Sequence, residues 1–253
     1  MDFADKVVII TGASSGIGAA TAIHFSKLSA KLSLVSRKEK NLKTIALYCE
    51  KSKGIAPLSI IADVTCEADV ERIVSETVNH FGKIDVLINN AGIVAMGGIA
   101  NMNMEAFDRV ISTNLRAVFH LTSVALPHLI DSKGNVVNVS SACGSRPNTM
   151  ALAYNASKAA LDHFTKCVAL ELAGKGVRVN SVSPNFVKTN LYKNVGLTED
   201  QLELFVKNMV GKTPLKKPVE GSEVASLIEF LASAKAQSIT GANYNIDGGS
   251  HLV

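Results

Sequence analysis

Tyr154 and Lys158 are spaced to do chemistry together. They lie in Ala153-Tyr154-Asn155-Ala156-Ser157-Lys158, where a Gly-, Pro- and Asn-rich stretch gives way to the apolar-periodic run from Ala159 to Leu172. The pattern predicts the first turns of a helix, on which residues four apart share one face, with Cβ atoms about 5–6 Å from each other. A phenol titrates near pH ~10 on its own, and a fixed ammonium beside it favours the phenolate. The pair could therefore form a proton donor and its electrostatic tuner. The same spelling also arises where a lysine simply lies along an aromatic ring, so the rest of the chain has to supply the context.

A second chemical signal precedes it. Lys6 to Thr11 is a β-branched run that ends in Thr11-Gly12-Ala13-Ser14-Ser15-Gly16-Ile17-Gly18, and Ala19 to Ala30 has helical composition. Strand, glycine turn and helix together make a phosphate cradle: Gly12, Gly16 and Gly18 allow close backbone approach, and the N–H groups around Ser14, Ser15 and Ile17 face a pyrophosphate. The next strand, Leu32 to Ser36, ends in Ser36-Arg37-Lys38. In a dinucleotide fold an acidic residue here selects a free ribose 2′-hydroxyl, whereas a guanidinium matches a 2′-phosphate. Ser36 and Arg37 thus favour NADP(H), although an arginine at such a position is also often merely solvated.

The elements that must position these groups alternate regularly. Pro57 to Ala62 reads as a strand, Asp63-Val64-Thr65 as a turn, Glu67 to Phe81 as an amphipathic helix and Ile84 to Ile88 as a strand. Asp63 could accept the adenine amino group or cap the following helix, with Val64 beside it. Asn89-Asn90-Ala91-Gly92 is a small turn through which backbone could approach a ligand. A helical region from Met104 to Leu129 carries Asn114 inside an apolar stripe, which predicts a kink and a water to satisfy the amide. Strands follow at Asn135–Ser140, Val177–Ser183 and Asn243–Ile246. Seven short strands alternating with helices predict an α/β, Rossmann-type, doubly wound parallel sheet whose ligand crevice lies at the strands' C-terminal ends.

Composition narrows the classes. With 253 residues, 47% of them hydrophobic, one domain over 1–253 is expected. The net charge of +4 and pI of 8.8 come from scattered lysines without interleaved aromatics, which argues against a nucleic-acid partner. No apolar run reaches the ~20 residues of a membrane span. Cys49, Cys66, Cys143 and Cys167 have neither CxxC nor zinc spacing, so reduced thiols, no metal and a cytoplasmic location are expected.

Taken together, the chain resembles the short-chain dehydrogenase/reductase family over essentially its whole length. TGASSGIG at Thr11–Gly18, NNAG at Asn89–Gly92, the second serine of Val139-Ser140-Ser141, Tyr154-Asn155-Ala156-Ser157-Lys158 and the segment Asn180–Thr189 occur in family order. The resemblance implies a seven-stranded sheet of order 3-2-1-4-5-6-7 with helices on both faces, and a catalytic tetrad of Asn114, Ser141, Tyr154 and Lys158. It further implies cofactor contacts from Asp63, Val64, Asn90, Ala91, Gly92, Tyr154, Lys158 and Pro184, with Val187 and Thr189 at the nicotinamide carboxamide. A homotetramer is implied as well. One departure is Asn185, where the family usually has glycine; asparagine tolerates left-handed backbone, so the turn is expected to survive.

For the substrate, residues 190–218 are expected to cover the pocket. Thr198-Glu199-Asp200-Gln201 spells a capping box, and Leu202, Phe205, Val206 and Met209 recur at helical spacing. Ala95, Met96, Cys143, Met150 and Leu191 are further candidates for an apolar lining. The expected substrate is a lipophilic ketone or secondary alcohol: steroid-like, including ecdysteroid, 3-oxoacyl or xenobiotic. A 3-oxoacyl carrier-protein thioester is an alternative, with Lys133 and Lys175 partly echoing a basic docking pair. A catalytically idle, NADP-sensing binding protein on the same fold is the other alternative.

Overall fold

The computed structural model describes residues 3–187 and 198–253, without the side chains at 199, 202 and 205. Thr189, Leu191 and the rest of 188–197 lie outside the described residues, as do the side chains of Leu202 and Phe205.

Seven parallel strands form one sheet in the order β3-β2-β1-β4-β5-β6-β7. They are β1 Val7–Thr11, β2 Lys31–Ser36, β3 Leu58–Ile61, β4 Val86–Asn89, β5 Asn135–Val139, β6 Arg178–Pro184 and β7 Asn243–Ile246. The central strands β1 and β4 are apolar up to their last residues because both faces are covered. Along β1, Val8 and Ile10 join a core with Ala22 and Phe25 of α1 (Gly16–Lys27), Leu42 of α2 (Glu39–Lys53) and Ile228 of α8 (Gly221–Ala232). Ile9 points the other way, into a core with Ile73 of α3 (Glu67–Phe81), Leu121 of α5 (Ala117–Asp131) and Leu172 of α6 (Leu152–Leu172). Helices therefore cover both faces, as the alternating pattern predicts.

Strand ends differ from the sequence expectation by one or two residues, whereas α3 and β7 coincide with it. The helix α3 stops where it was expected to because Gly82 follows in the left-handed conformation, φ 82°, which glycine adopts without steric cost. The first helix starts earlier than Ala19, at Gly16, so the glycine turn runs directly into its first turn. The helical region from Met104 is not continuous: α4 (Met104–Ile111) passes through a π-helical turn, Ser112–Arg116, into α5. That turn supplies the expected irregularity at Asn114 by a slip in hydrogen-bond register. The capping box at α7 (Glu199–Lys212) forms, with Thr198 and Gln201 exchanging side-chain-to-backbone bonds.

Candidate active site

A cleft of 740 Å³ opens at the C-terminal ends of the strands. One wall is the glycine turn. Gly12 and Gly16 have φ of +66° and +57°, and a Cβ on Gly18 would sit 2.4 Å from the Gly12 carbonyl oxygen and 2.5 Å from Asn90 Nδ2. Gly18 thus faces the turn itself, while Gly12, Ser14, Ser15, Gly16 and Ile17 line the cleft. Gly18→Ala is expected to destabilise the fold by about 1–3 kcal/mol; a urea midpoint equal to that of the parent would contradict the packing described.

Thr11 locks the two ligand-facing turns together, a role the sequence did not disclose. Its Oγ1 accepts from the backbone N–H groups of Asn90 and Ala91 at 2.9 and 3.0 Å, and its carbonyl accepts from Asn90 Nδ2 at 2.8 Å. The signal available was a polar residue ending an apolar strand. Asn90, Ala91 and Gly92 consequently line the cleft opposite the first turn of α1. That first turn contains no acidic residue, and Ser15 at the N-cap makes no side-chain cap bond. Its N–H groups and positive dipole end are available to a phosphate.

At the end of β2, Ser36 donates to Ser14 Oγ at 2.8 Å, tying this strand end to the glycine turn. Arg37 is paired: Nη1 donates to Asp63 Oδ2 at 3.2 Å, with the two side chains 64% and 34% exposed. Asp63 does not cap α3, whose N-cap residue is Cys66. Its Oδ1 instead accepts from Thr65 N–H at 3.0 Å and Thr65 Oγ1 at 2.8 Å. Burial alone would raise the carboxyl pKa, but the bonds from Thr65 and the Arg37 guanidinium outweigh it and hold Asp63 below the usual range. Arg37, Asp63 and Val64 all line the cleft.

The other end of the cleft holds the acid-base candidates. Tyr154 and Lys158, in the first turns of α6, are 8% and 4% exposed. Lys158 Nζ stands 5.7 Å from the Tyr154 ring centroid and donates to the Val139 carbonyl at 2.8 Å. Ser141 lies at the N-cap of a short 3₁₀ turn, Ala142–Gly144. Its Oγ accepts from Cys143 N–H at 3.2 Å and makes only a long, 3.5 Å contact as donor to the Pro184 carbonyl. Ser140, by contrast, donates to the Lys158 carbonyl. The Ser141 hydroxyl is the more loosely held of the two.

Asn114 is fully buried and stands behind the cleft wall. Its Oδ1 accepts from Ile93 N–H at 2.9 Å, and its Nδ2 donates to the Ile93 carbonyl at 2.9 Å and to Ser157 Oγ at 3.1 Å. The expected water is therefore not needed to satisfy the amide: protein atoms do it. Gly92 separates Asn114 from Lys158, since a Cβ there would lie 3.4 Å from Asn114 Oδ1 and 3.7 Å from Lys158 Nζ.

Burial strips water from the Lys158 ammonium and pushes its pKa down to about 8, against the opposing effects of Asp162 and Cys143. Between pH 8 and the ordinary 10.5 the unfolded chain binds more protons at this site than the folded one, so stability contributed here rises with pH. Denaturant titrations at pH 8 and pH 10 should show the parent gaining about 1–3 kcal/mol relative to Lys158→Met over that interval. A constant difference between the two proteins would refute the depressed value.

Pro184 and Val187 line the cleft, and so does Asn185. The backbone of Asn185 is not left-handed: among the described residues, positive φ outside glycine occurs at Asp5, Ser29, Lys133 and Lys216. Asparagine's tolerance of that conformation is therefore not what allows the replacement. Of the expected apolar lining residues, Cys143 and Met209 reach the cleft, joined by Ile93 and Val94, which the sequence reading missed. Ala95 packs instead with Val110 and the Tyr154 ring, and Met150 is 45% exposed; these two and Met96 lie outside the lining. Lys133 and Lys175 precede β5 and β6, at the end of the sheet away from the cleft. The four cysteines are free, no cluster of metal ligands occurs among the described residues, and no described helix is long and apolar enough to cross a membrane.

Several known proteins are similar to this chain. Residues 12–251 match the sequence model of a family described as enoyl-(acyl carrier protein) reductase. The chain is 37% identical to a 3-oxoacyl-[acyl-carrier-protein] reductase of Thermotoga maritima, over 96% of this chain and 97% of that one. It is 35% identical to a meso-2,3-butanediol dehydrogenase of Serratia marcescens, over 99% and 96%. A crystal structure of a short-chain dehydrogenase/reductase from Caenorhabditis elegans, solved with cofactor, superposes with a TM-score of 0.93 at 35% identity, covering 99% and 97%. With the sheet order, the glycine turn and these relatives in agreement, the chain belongs to the short-chain dehydrogenase/reductase family of oxidoreductases.

Proposed function

We propose that the protein is an NADPH-dependent carbonyl reductase that converts lipophilic ketones to secondary alcohols and runs the reverse oxidation when alcohol and NADP⁺ are supplied. The observation that carries this reading is that Tyr154 and Lys158, buried side by side, face the same cleft as the glycine turn. The cradle suits a dinucleotide: Gly12, Ser14, Ser15, Gly16 and Ile17 line the cleft, and the first turn of α1 carries no acid that would repel a pyrophosphate. The reduced nicotinamide, when bound, supplies the hydride.

The chain's own residues supply the rest. Arg37 recognises the 2′-phosphate of NADP(H), Ser36 and Asp63 border the adenosine, and Val187 and Thr189 hold the carboxamide. Ser141 and Tyr154 hydrogen-bond the carbonyl oxygen and stabilise the negative charge that grows there. Tyr154 then gives its phenolic proton to that oxygen, leaving an alcohol. Lys158 stabilises the resulting phenolate and binds the nicotinamide ribose, and Asn114 anchors a proton relay from Lys158 to solvent. Ile93, Val94, Cys143 and Met209 contribute apolar side chains to the cleft, which supports a lipophilic ketone. The Thermotoga relative's name extends the class to 3-oxoacyl groups, but a carrier protein finds no support from Lys133 and Lys175, which lie away from the cleft.

A panel of ketones screened by loss of NADPH absorbance tests the reading. Turnover of an apolar ketone supports it; tight NADPH binding with no turnover across the panel would favour the idle sensor. The expected cytoplasmic homotetramer belongs to the same proposal. Phe119 on α5 and Leu170 on α6, 58% and 84% exposed, support self-association, which sedimentation measures directly.

A further inference from the structure

Asn185, the residue that departs from the family's glycine, uses its side chain to join three parts of the chain. Its Nδ2 donates to Ser250 Oγ at 2.6 Å and to Thr213 Oγ1 at 3.4 Å. An amide nitrogen has two N–H bonds, and these two acceptors use both. Each hydroxyl then passes its own proton on. Ser250 donates to the Asp247 carbonyl at 2.8 Å, and Thr213 donates to the Met209 carbonyl at 3.1 Å. Thr213 and Ser250 are each 2% exposed, so these bonds form away from water, where an unmade bond is costly.

Backbone contacts converge on the same place. Leu215 N–H donates to the Gly248 carbonyl at 3.1 Å, and Asn185 N–H to the Ile246 carbonyl at 3.3 Å. The Thr213 methyl fills the space beside Gly248, 2.5 Å from where a Cβ would stand. The end of β6, the residue closing α7 and the turn after β7 are thereby fastened together. Asn185 and Met209 both line the cleft, and Thr213 connects them through hydrogen bonds. Glycine at 185 could make none of the side-chain links.

We propose that Asn185 is a specificity-determining positioning residue: its amide pins the C-terminal end of α7 to the β6–β7 side of the cleft, fixes Met209 in the apolar wall and so limits the bulk of the ketone substituent admitted. The ketone part of this statement rests on the proposed reductase function; the pinning of α7 does not. Pinning is read on the free protein by hydrogen exchange, without substrate.

In Asn185→Ala and in Thr213→Val, amide exchange in the last turn of α7 should rise by about tenfold, the loss expected for one or two hydrogen bonds. Valine keeps the threonine methyl and deletes only the hydroxyl. The double variant should exchange faster than the parent by less than the product of the two single effects, because both variants break the Asn185–Thr213 link. Both variants should also shift the KM ratio of a bulky to a small ketone by about tenfold, with kcat moving less. Unchanged exchange in Asn185→Ala overturns the pinning whatever Thr213→Val does, because Thr213→Val also loses the Thr213 bond to the Met209 carbonyl. A shifted KM ratio in Asn185→Ala but not in Thr213→Val overturns the specificity role through α7, because Asn185 would then act by touching the ligand directly. Raised exchange with an unmoved ratio overturns the specificity role alone. If the parent turns over no ketone, the reductase reading fails and takes the specificity role with it, while raised exchange still supports the pinning.

Discussion

Tyr154→Phe is expected to lower ketone-dependent NADPH oxidation by about 10²–10⁴-fold, with NADPH affinity within about threefold of the parent. The substitution is nearly neutral for packing. The Tyr154 ring belongs to a small core with Val110, Ala151 and Ala153, which a phenyl ring fills equally well. Lys158 keeps its place over the ring face, 5.7 Å from the centroid, and its bond to the Val139 carbonyl. What disappears is the oxygen that, in the proposed mechanism, donates both a hydrogen bond and a proton to the nascent alkoxide. Steady-state rates together with fluorescence titration of NADPH separate the two effects. Activity within tenfold of the parent would end the case for Tyr154 as the acid.

Arg37→Asp is expected to move the NADPH-to-NADH preference by about a hundredfold toward NADH. Arg37 is 64% exposed and its present partner is Asp63. An exposed pair of this kind contributes only ~0–1 kcal/mol, so the guanidinium can turn to a 2′-phosphate at little cost. The replacement does more than delete that contact. It sets a second carboxylate beside Asp63, and two negative charges there repel a 2′-phosphate while accepting a free 2′-hydroxyl. The ratio of kcat/KM for the two cofactors is the measurement. A ratio unchanged by the substitution would refute the assignment of NADP(H) through Arg37.

Much of the architecture was legible because it is written in short-range patterns. Glu67 to Phe81 reads as a helix from its apolar spacing and ends at Gly82, whose left-handed φ stops it. Asn243–Ile246 reads as a strand from its flanking turns, and it pairs with β6. The glycine turn is legible too, since φ of +66° at Gly12 and +57° at Gly16 is a requirement that almost dictates the residue type. Less legible was Asn114. Its polarity marked it, but the π turn that carries it and the Ile93 backbone that satisfies it are properties of two segments meeting.

The same division explains the places where the sequence reading went astray. Of the two uses offered for Asp63, capping the next helix does not occur: the N-cap is Cys66, and Thr65 and Arg37 take the carboxylate instead. Asn185 looked like a tolerated glycine substitute, yet it avoids the left-handed region and spends its amide on Ser250 and Thr213. Ala95 and Met150 looked like pocket residues from their apolarity alone, which cannot distinguish a cleft wall from a core or an exposed turn.

By itself, then, the sequence determined the alternation of strands and helices, the glycine turn and the Tyr154–Lys158 spacing, because periodicity and turn chemistry act over a few residues. Only the tertiary structure decided that Lys158 is stripped of water under the Val139 carbonyl, that Arg37 meets Asp63 and that Asn185 reaches the end of α7. Those outcomes depend on which strand ends the sheet order 3-2-1-4-5-6-7 brings side by side, and side-chain contacts across such distances in the chain have no local signature.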